Sequence, residues 1–144
     1  MKLSTKSRYA TRLMVNLAWN YHQGPMQLNE ISRKEDISEK YLSQIVITLR
    51  GAGLIRSVRG AHGGYLLTRD PQEISLRNIV EVMEGGLDIV DCLSDEQNCS
   101  RSGQCITRDV WNKVSAAIKE SLEEISLDEL AKQVRQSDEP MYFI

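Results

Sequence analysis

The stretch that constrains the fold most is LIRSVRGAHGGYLLTRD, at residues 54–70. Two short apolar runs with strand-forming residues flank the glycine-rich segment GAHGG. Glycine adopts the positive φ angles that a tight hairpin tip needs, at no steric cost. The stretch therefore predicts a β-hairpin whose strands contain Leu54, Ile55 and Val58 on one side and Tyr65–Leu67 on the other.

Three helices are predicted before the hairpin. The first has Thr5 as its cap and ends before Pro25, and its apolar residues recur every four positions. Asn29 caps a short second helix, and Ser38 caps a third that runs through residues 39–53. Two short helices followed by a hairpin have the order of a winged helix-turn-helix module. We therefore predict a mainly α fold with a small β-hairpin, in which the second helix of the pair enters the major groove of DNA.

Three further helices are predicted after the hairpin. Ser75 caps the first of them. The segment CITRDVWNKVSAAIKESLEEI, residues 105–125, then predicts one long helix of about 31 Å. Ser126 and Glu129 predict a capping box at the start of a last short helix. The apolar stripe of the long helix consists of Ile106, Val110, Val114, Ala117, Ile118, Ser121, Leu122 and Ile125.

The length and composition indicate a small globular protein. The chain has 144 residues, of which 41% are hydrophobic, which suits one domain or one small domain with an appendage. No run approaches the roughly 20 apolar residues of a membrane helix, and the N-terminus lacks a signal-peptide pattern. We therefore expect a cytoplasmic protein with no membrane partner. The C-terminal segment SDEPMYFI, residues 137–144, is predicted to be mobile, although Phe143 and Ile144 could still dock.

The charge is distributed unevenly along the chain, whose net charge is −2. Residues 1–70 carry 11 Lys and Arg against 5 Asp and Glu, whereas residues 71–144 carry 7 against 15. A basic half joined to an acidic half indicates that one part faces a polyanion. Double-stranded DNA is the polyanion that fits the predicted winged module.

The predicted recognition helix and its surroundings carry side chains suited to DNA. Gln44 can make a bidentate pair with adenine, and Arg50 is suited to the phosphate backbone. An arginine on a slim wing fits a narrowed minor groove. The residues predicted to contact DNA are Lys2, Arg8, Ser38, Lys40, Tyr41, Ser43, Gln44, Arg50, Arg59 and His62, with Lys6 and Arg56 adding positive charge. The alternatives are a solvated face or a protein-docking face.

All three cysteines lie in DCLSDEQNCSRSGQC, residues 91–105. In a reducing compartment, clustered thiols favour metal binding or redox chemistry over disulfides. Structural zinc usually uses closely spaced cysteine pairs. The C-x6-C-x5-C spacing of Cys92, Cys99 and Cys105 favours a larger iron–sulfur cluster with spread ligands. A zinc site, a metal-free thiol sensor and inert thiols remain as alternatives.

The sequence holds no arrangement that favours catalysis. It has no Gly-rich phosphate loop, and its two histidines, His22 and His62, lie far from the cysteines along the chain. We therefore do not expect an enzyme. The alternative from another functional class is a subunit of a protein complex that has no operator of its own.

Three segments together resemble a known family. They are MKLSTKSRYATRLM at residues 1–14, ISEKYLSQIVITLRGAGLIRSVRGAHGGYLLTRD at residues 37–70, and the cysteine spacing before CITRDVW. With these segments the chain resembles the bacterial iron–sulfur-cluster transcription regulators of the IscR type. That family also includes nitric-oxide sensors and cysteine-metabolism repressors. The resemblance covers residues 1–134.

The resemblance implies a homodimer that binds a palindromic operator and controls genes for iron–sulfur cluster biogenesis through its own cluster, with [2Fe–2S] favoured. It implies that the three cysteines are the thiolate ligands, and that Ser38–Arg50, Arg59 and Gly60 contact DNA. The implied division of the chain is a winged domain at 1–84, a cluster loop at 85–104, a dimerisation helix with the following short helix at 105–134, and the tail at 135–144. The interface itself is the helix at 105–125.

Three positions depart from the pattern that the resemblance implies. Ser43 stands at the position of a glutamate that discriminates between classes of DNA site. Arg108 stands at the position of a histidine that is the fourth ligand, and Arg8 at the position of a carboxylate ligand in some nitric-oxide sensors. The remaining candidates for the fourth ligand are Asp91, Asp95, Glu96, Asp109, His22, solvent and a small thiol. An oxygen-ligated site should be labile, which suits a sensor; a thiol-based redox or nitric-oxide-responsive repressor without a stable cluster is the alternative.

Overall fold

The computed structural model describes residues 2–138, a mainly helical chain with one two-stranded antiparallel sheet. The predicted fold class is confirmed. The predicted docking of Phe143 and Ile144 lies outside the described residues. The elements are α1 (Thr5–Trp19), α2 (Leu28–Glu35), α3 (Glu39–Gly51), β1 (Ile55–Val58), β2 (Gly64–Leu67), α4 (Leu76–Glu84), α5 (Asp91–Ser94), α6 (Ile106–Glu123) and α7 (Leu127–Asp138).

The starts of the first two helices differ from the prediction. Ser4, rather than Thr5, caps α1, because its hydroxyl accepts a hydrogen bond from the backbone N–H of Ser7 at 3.2 Å. The second helix starts at Leu28 instead of after Asn29, and it has no side-chain cap. Leu28 is buried in the core, so packing determines this start rather than a local capping preference.

The helix-turn-helix pair packs on α1 around a continuous core. Leu13 and Met14 of α1, Ile31 of α2, and Leu42 and Leu49 of α3 are fully buried within it. The turn between α2 and α3 is completed by Asp36, which adopts a left-handed backbone conformation with φ of 53°. The predicted cap of α3 is confirmed, since the Ser38 hydroxyl accepts from the Tyr41 backbone N–H at 3.2 Å.

The hairpin is joined to the helical core rather than projecting freely. Its strands pair from Ile55 opposite Leu67 to Val58 opposite Gly64. Tyr65 and Met26 exchange two backbone hydrogen bonds, of 2.9 and 3.1 Å, which fix β2 to the segment before α2. A β-carbon on Gly64 would lie 2.4 Å from the Met26 carbonyl oxygen, so this contact requires glycine.

The C-terminal helix returns to the winged module. The predicted cap at Ser75 is present and forms a capping box with Asn78, and the predicted Ser126–Glu129 capping box is present as well. Leu127 is fully buried in the common core, and its backbone N–H donates to the Ile74 carbonyl at 2.8 Å. The structure therefore places α7, which the sequence grouped with the long helix, against α1.

The cysteine segment has more regular structure than the predicted loop. It contains α5 and a 3-10 turn at Glu96–Asn98 before α6 begins. Helix α6 has 18 residues, so at 1.5 Å per residue it is about 27 Å long, shorter than predicted. It packs against α4 and α5. Within residues 2–138 no helix is both long and apolar enough to span a membrane.

Candidate functional site

The outward face of α3 is polar, as a recognition helix requires. Its inward face is formed by Leu42, Ile45, Val46 and Leu49, all of which are buried. The predicted contact residues Ser38, Lys40, Ser43, Gln44 and Arg50 are all exposed. The structure thus brings five of the predicted DNA-contacting residues together on one helix and its cap.

Internal hydrogen bonds limit what two of these hydroxyls can do. The Ser43 hydroxyl donates to the Glu39 carbonyl at 2.9 Å, which leaves its oxygen able to accept but uses its proton. The Ser38 hydroxyl accepts the capping bond, which leaves its proton available for a phosphate. Ser43 therefore suits a base-edge donor, such as the amino group of adenine or cytosine.

Tyr41 differs from the other predicted contacts because it is half-buried. Its ring packs edge-on against Tyr9 of α1, with the centroids 5.6 Å apart and the planes at 83°. A narrow cleft lined by Lys6, Tyr41, Gln44 and Met83 runs beside this pair. The cleft places the basic start of α1 next to the recognition helix.

Ile47 is a feature of this face that the sequence prediction missed. It is 71% exposed, although it is a large apolar side chain. It lies three residues after Gln44 and three before Arg50, in the middle of the polar arc. The available signal was its position off the apolar stripe that Leu42, Ile45 and Leu49 define.

The tip of the hairpin presents the predicted wing residues to solvent. Arg59, Gly60 and His62 are exposed, and Gly60 has a φ of 114°, which favours glycine. The Gln27 side-chain amide donates to the Ala61 carbonyl at 3.3 Å. This bond ties the wing tip to the start of α2, so the wing is oriented with respect to the helix pair.

The N-terminal basic residues Lys2 and Arg8 are also exposed. The start of α1 is held by Glu84, the last residue of α4. Its carboxylate accepts hydrogen bonds from the Ser4 backbone N–H at 2.9 Å and from the Ser7 hydroxyl. These bonds hold the pKa of Glu84 below its ordinary value of 4.5, the Ser7 bond contributing most.

The three cysteines are half-buried free thiols on three different elements. Cys92 belongs to α5, Cys99 follows the 3-10 turn, and Cys105 is the residue before α6. Among residues 2–138, no three Cys, His, Asp or Glu side chains are gathered closely enough to hold one metal ion. Thiolate is nevertheless the ligand that iron–sulfur clusters use, so the donor set fits such a group in its chemistry.

Cys105 forms a side-chain hydrogen bond through its sulfur. Its sulfur lies 3.1 Å from the Thr107 hydroxyl, and this hydrogen bond lowers the pKa of the thiol, with a smaller effect from the Arg108 backbone N–H. Cys105 occupies the N-cap position of α6, where thiolate is favoured by the helix dipole.

Arg108 joins the cysteine segment to α6. Its guanidinium donates two bonds of 3.4 Å to the Cys92 carbonyl and forms an ion pair with Glu96 at 3.2 Å. Glu96, a predicted candidate for the fourth ligand, is therefore engaged with Arg108. Asp95 accepts from the Gln97 backbone N–H at 2.9 Å, while His22 lies beside the hairpin with Arg56 and Thr68. Asp91 and Asp109 are exposed too, and within residues 2–138 their carboxylates form no hydrogen bond or ion pair.

The outer face of α6 is apolar and exposed. Four large apolar residues on it are exposed to solvent: Ile106 at 85%, Val110 at 51%, Trp111 at 41% and Val114 at 40%. Ser115, on the inner side, is buried and its hydroxyl accepts from the Ile89 backbone N–H at 3.2 Å. We call the exposed residues Ile106, Val110, Val114 and Ala117, which follow at helical spacing, the α6 stripe.

Comparison with known proteins identifies the family. Residues 3–133 match the model of the Rrf2 family, which is described as "Iron-dependent Transcriptional regulator". The chain belongs to the Rrf2 family. This membership and the exposed polar face of α3 make the chain a DNA-binding transcriptional regulator, and the relatives of this Rrf2 protein are named as regulators rather than as enzymes.

Relatives with two different names are similar to this Rrf2 protein. The transcriptional regulator CymR of Bacillus subtilis is 38% identical over 143 residues, 99% of each chain. The regulator IscR of Aliivibrio salmonicida is 38% identical over 130 residues, which cover 90% of this chain and 77% of the relative.

Solved structures confirm the winged helix-turn-helix fold. The structure described as that of CymR, "the Global Cysteine Regulator of B. subtilis", has a TM-score of 0.77 at 38% identity and covers 92% of this chain and 98% of that one. The structure of "T. potens IscR" has a TM-score of 0.78 at 35% identity and covers 99% and 94%. The predicted resemblance to regulators of the IscR type is therefore confirmed at the level of the family.

Proposed function

We propose that this regulator is a homodimer that binds a palindromic operator and senses iron–sulfur cluster status through a cluster held by Cys92, Cys99 and Cys105. The observation that carries the proposal is the position of the three free thiols, which are confined to one segment that packs on α6. Similarity to proteins named IscR supports it. Genes for iron–sulfur cluster biogenesis are the proposed targets, and [2Fe–2S] the proposed cluster.

The cluster would supply a group whose presence depends on iron, sulfide and oxidation state. The residues around it would provide three thiolates, one of them from Cys105, the residue before α6. Arg108 occupies the position of the predicted histidine ligand and is turned to Cys92 and Glu96. We infer that the fourth ligand is an oxygen donor or an exogenous small molecule, so that the cluster is lost readily when supply falls.

The α6 stripe supports the proposed dimer. An isologous interface brings the same patch of two subunits together, and a stripe at helical spacing is self-complementary in this way. Two copies related by a two-fold axis would present two recognition helices to successive major grooves, about 34 Å apart. A palindromic operator is the DNA counterpart of that symmetry.

A second function, a thiol-based repressor without a stable cluster, is favoured by different observations. The relative named CymR matches 99% of the chain, and its solved structure is described as a cysteine regulator. The Arg108–Glu96 ion pair also joins α6 to the turn between Cys92 and Cys99. In this case the thiols would respond directly to oxidants or to nitric oxide.

Anaerobic purification with a visible spectrum and with iron, sulfide and zinc analysis separates the two functions. Visible absorption with about equal iron and acid-labile sulfide is the expected result, and the iron count per chain gives the nuclearity. The Cys99→Ala variant should lose the absorption and keep its far-ultraviolet circular dichroism, whereas Ser100→Ala, the next residue, should keep both. A colourless parent that stays colourless after reconstitution would support the thiol-based repressor instead.

A further inference from the structure

We propose that Ile47 is a specificity-determining residue that reads a thymine methyl group in the major groove of the operator. The inference rests on α3 being the recognition helix of this DNA-binding regulator. It adds to the hydrogen-bonding residues a base contact that is apolar, and it names the base.

The first step is the exposure of Ile47. Removing an isoleucine side chain from water is favourable, yet this one is 71% exposed. In the part of the chain that the structure describes, the other large apolar side chains that are exposed lie on α6 or at Leu3, so Ile47 is separate from the α6 stripe. The proposed dimer interface therefore does not account for it.

The second step is its position between residues that can read or hold DNA. Gln44 and Arg50 lie one turn before and one turn after it on the same exposed arc. Three residues advance a helix by about 4.5 Å, whereas successive bases in one strand are about 3.4 Å apart. If Gln44 reads one base pair, Ile47 faces the next pair or the one after it.

The third step is chemical. In the major groove only thymine among the four bases presents a methyl group, and apolar side chains contact it. Isoleucine can neither donate nor accept a hydrogen bond, so against guanine or cytosine it would remove water from polar base edges without replacing it. Its β-branched side chain is restricted at χ1 in a helix, so the contact is held in one orientation. The arrangement favours a T·A pair.

Removal of the methyl group alone tests the proposal. An operator is first selected from random duplex DNA with the full-length parent, and each thymine is then replaced singly by deoxyuridine. At one position in each half-site the replacement should weaken binding about fourfold, as expected for about 0.8 kcal/mol per apolar carbon removed from contact. Every other replacement in the half-site should have a smaller effect.

Variants assign the effect to Ile47. Ile47→Ala should bind the thymine and deoxyuridine operators equally at that position, while Ile47→Val should retain part of the difference. Thr48→Ala, the exposed neighbour, is the matched control and should retain the full difference; circular dichroism verifies folding of each. An Ile47→Ala variant that keeps the parental sensitivity, or a parent with no sensitive thymine, overturns the proposal. If Gln44→Ala also left base preference unchanged, the placement of α3 in the groove would be what fails.

Discussion

At the scale of single residues, Arg108 determines how the cysteine segment is held. Its guanidinium reaches both the Cys92 carbonyl and Glu96, which lie on the two short elements before α6. A neutral imidazole can ligate iron, whereas a guanidinium stays protonated and cannot. The residue at position 108 therefore determines whether the cysteine segment is held by an ion pair or could be held by a fourth protein ligand to iron.

Exchanging Arg108 tests this role. Arg108→His should slow the loss of the proposed cluster to a chelator about tenfold, within the range by which groups around a metal site change its affinity. The measurement is the decay of visible absorption after anaerobic addition of the chelator. Arg108→Gln removes the ion pair without supplying a ligand and should lose the cluster at least as fast as the parent. Equal decay for the histidine and glutamine variants would contradict the prediction.

Arg59 is the wing residue whose change should show most clearly in the salt dependence of binding. It is exposed at a tip that Gln27 holds through Ala61, on a hairpin whose second strand is bonded to Met26. Each neutralised phosphate contributes about −0.9 to the slope of the logarithm of affinity against the logarithm of salt concentration. Arg59→Ala should weaken binding to all sequences and reduce the steepness of this slope by about 1.

Fluorescence anisotropy over a range of salt concentrations measures this change. Lys132→Ala is the control, because Lys132 lies on α7 in an exposed ion pair with Asp128. Such a pair is worth little, and α7 makes its main contacts with α1 and with the turn before α4 rather than with α3 or the hairpin. An Arg59→Ala slope equal to that of the parent would remove the wing from the DNA interface.

At the scale of elements, Glu84 connects the end of α4 to the start of α1. The carboxylate serves as a second cap for α1, beside Ser4. Because its pKa is lowered on folding, it contributes stability above its ordinary pKa of 4.5, and this contribution is lost as pH falls through the folded value. The chain continues from Glu84 directly toward the cysteine segment, so the contact also joins that segment to the DNA-binding module.

Glu84→Gln should lower the free energy of unfolding near neutral pH by about 1 kcal/mol, the size of a hydrogen bond to a charged acceptor at a partly exposed site. The gap between parent and variant in urea unfolding should narrow as pH is lowered below about 4.5. Glu73→Gln, an exposed residue in the turn before α4, is the control. A gap that stays constant between pH 7 and pH 3 would show that Glu84 acts through packing alone.

Elements with strong periodicity or local caps could be predicted from the sequence. The third helix, with its Ser38 cap, and the Ser126–Glu129 box are encoded within a few residues, and the structure has both. The start of α2 could not be predicted in this way, because burial of Leu28 overrides the local preference of Asn29. The short helix at Cys92 was missed for a similar reason, since Arg108, 16 residues later, holds it.

The residue types of the candidate site could be predicted from the sequence, whereas their arrangement in space could not. The polar residues of α3 and the wing could be named because residue type alone indicates DNA contact. Ile47 was missed because an apolar residue in a helix is first expected in the core. The internal hydrogen bond of Ser43 also depends on the rotamer that it adopts in the folded helix.

At the scale of the whole molecule, α6 lies between the cysteine segment and the proposed dimer interface, outside the core of the DNA-binding module. The winged module and α7 share one core, whereas α6 lies outside it and packs on α4 and α5. Its first turn follows Cys105, and its exposed stripe runs along the proposed interface. In the proposed dimer, a change at the cysteines would therefore reach the partner subunit through α6 and would alter the spacing of the two recognition helices.

Charge placed on the α6 stripe tests this arrangement. Val110 lies within the stripe and is 51% exposed in the single chain. In a dimer, Val110→Glu would bury two carboxylates without partners near the two-fold axis, at a cost that exceeds the gain from the remaining apolar contacts. We expect the variant to sediment as a monomer at concentrations where the parent is a dimer. Its affinity for the full palindrome should fall to that for one half-site, because the second half-site no longer binds intramolecularly.

Asn112→Glu adds the same charge at an exposed position on the other side of α6 and should leave both properties intact. If Val110→Glu sedimented like the parent, the stripe would not be the interface, and the proposed route from the cysteines to the partner subunit would be wrong.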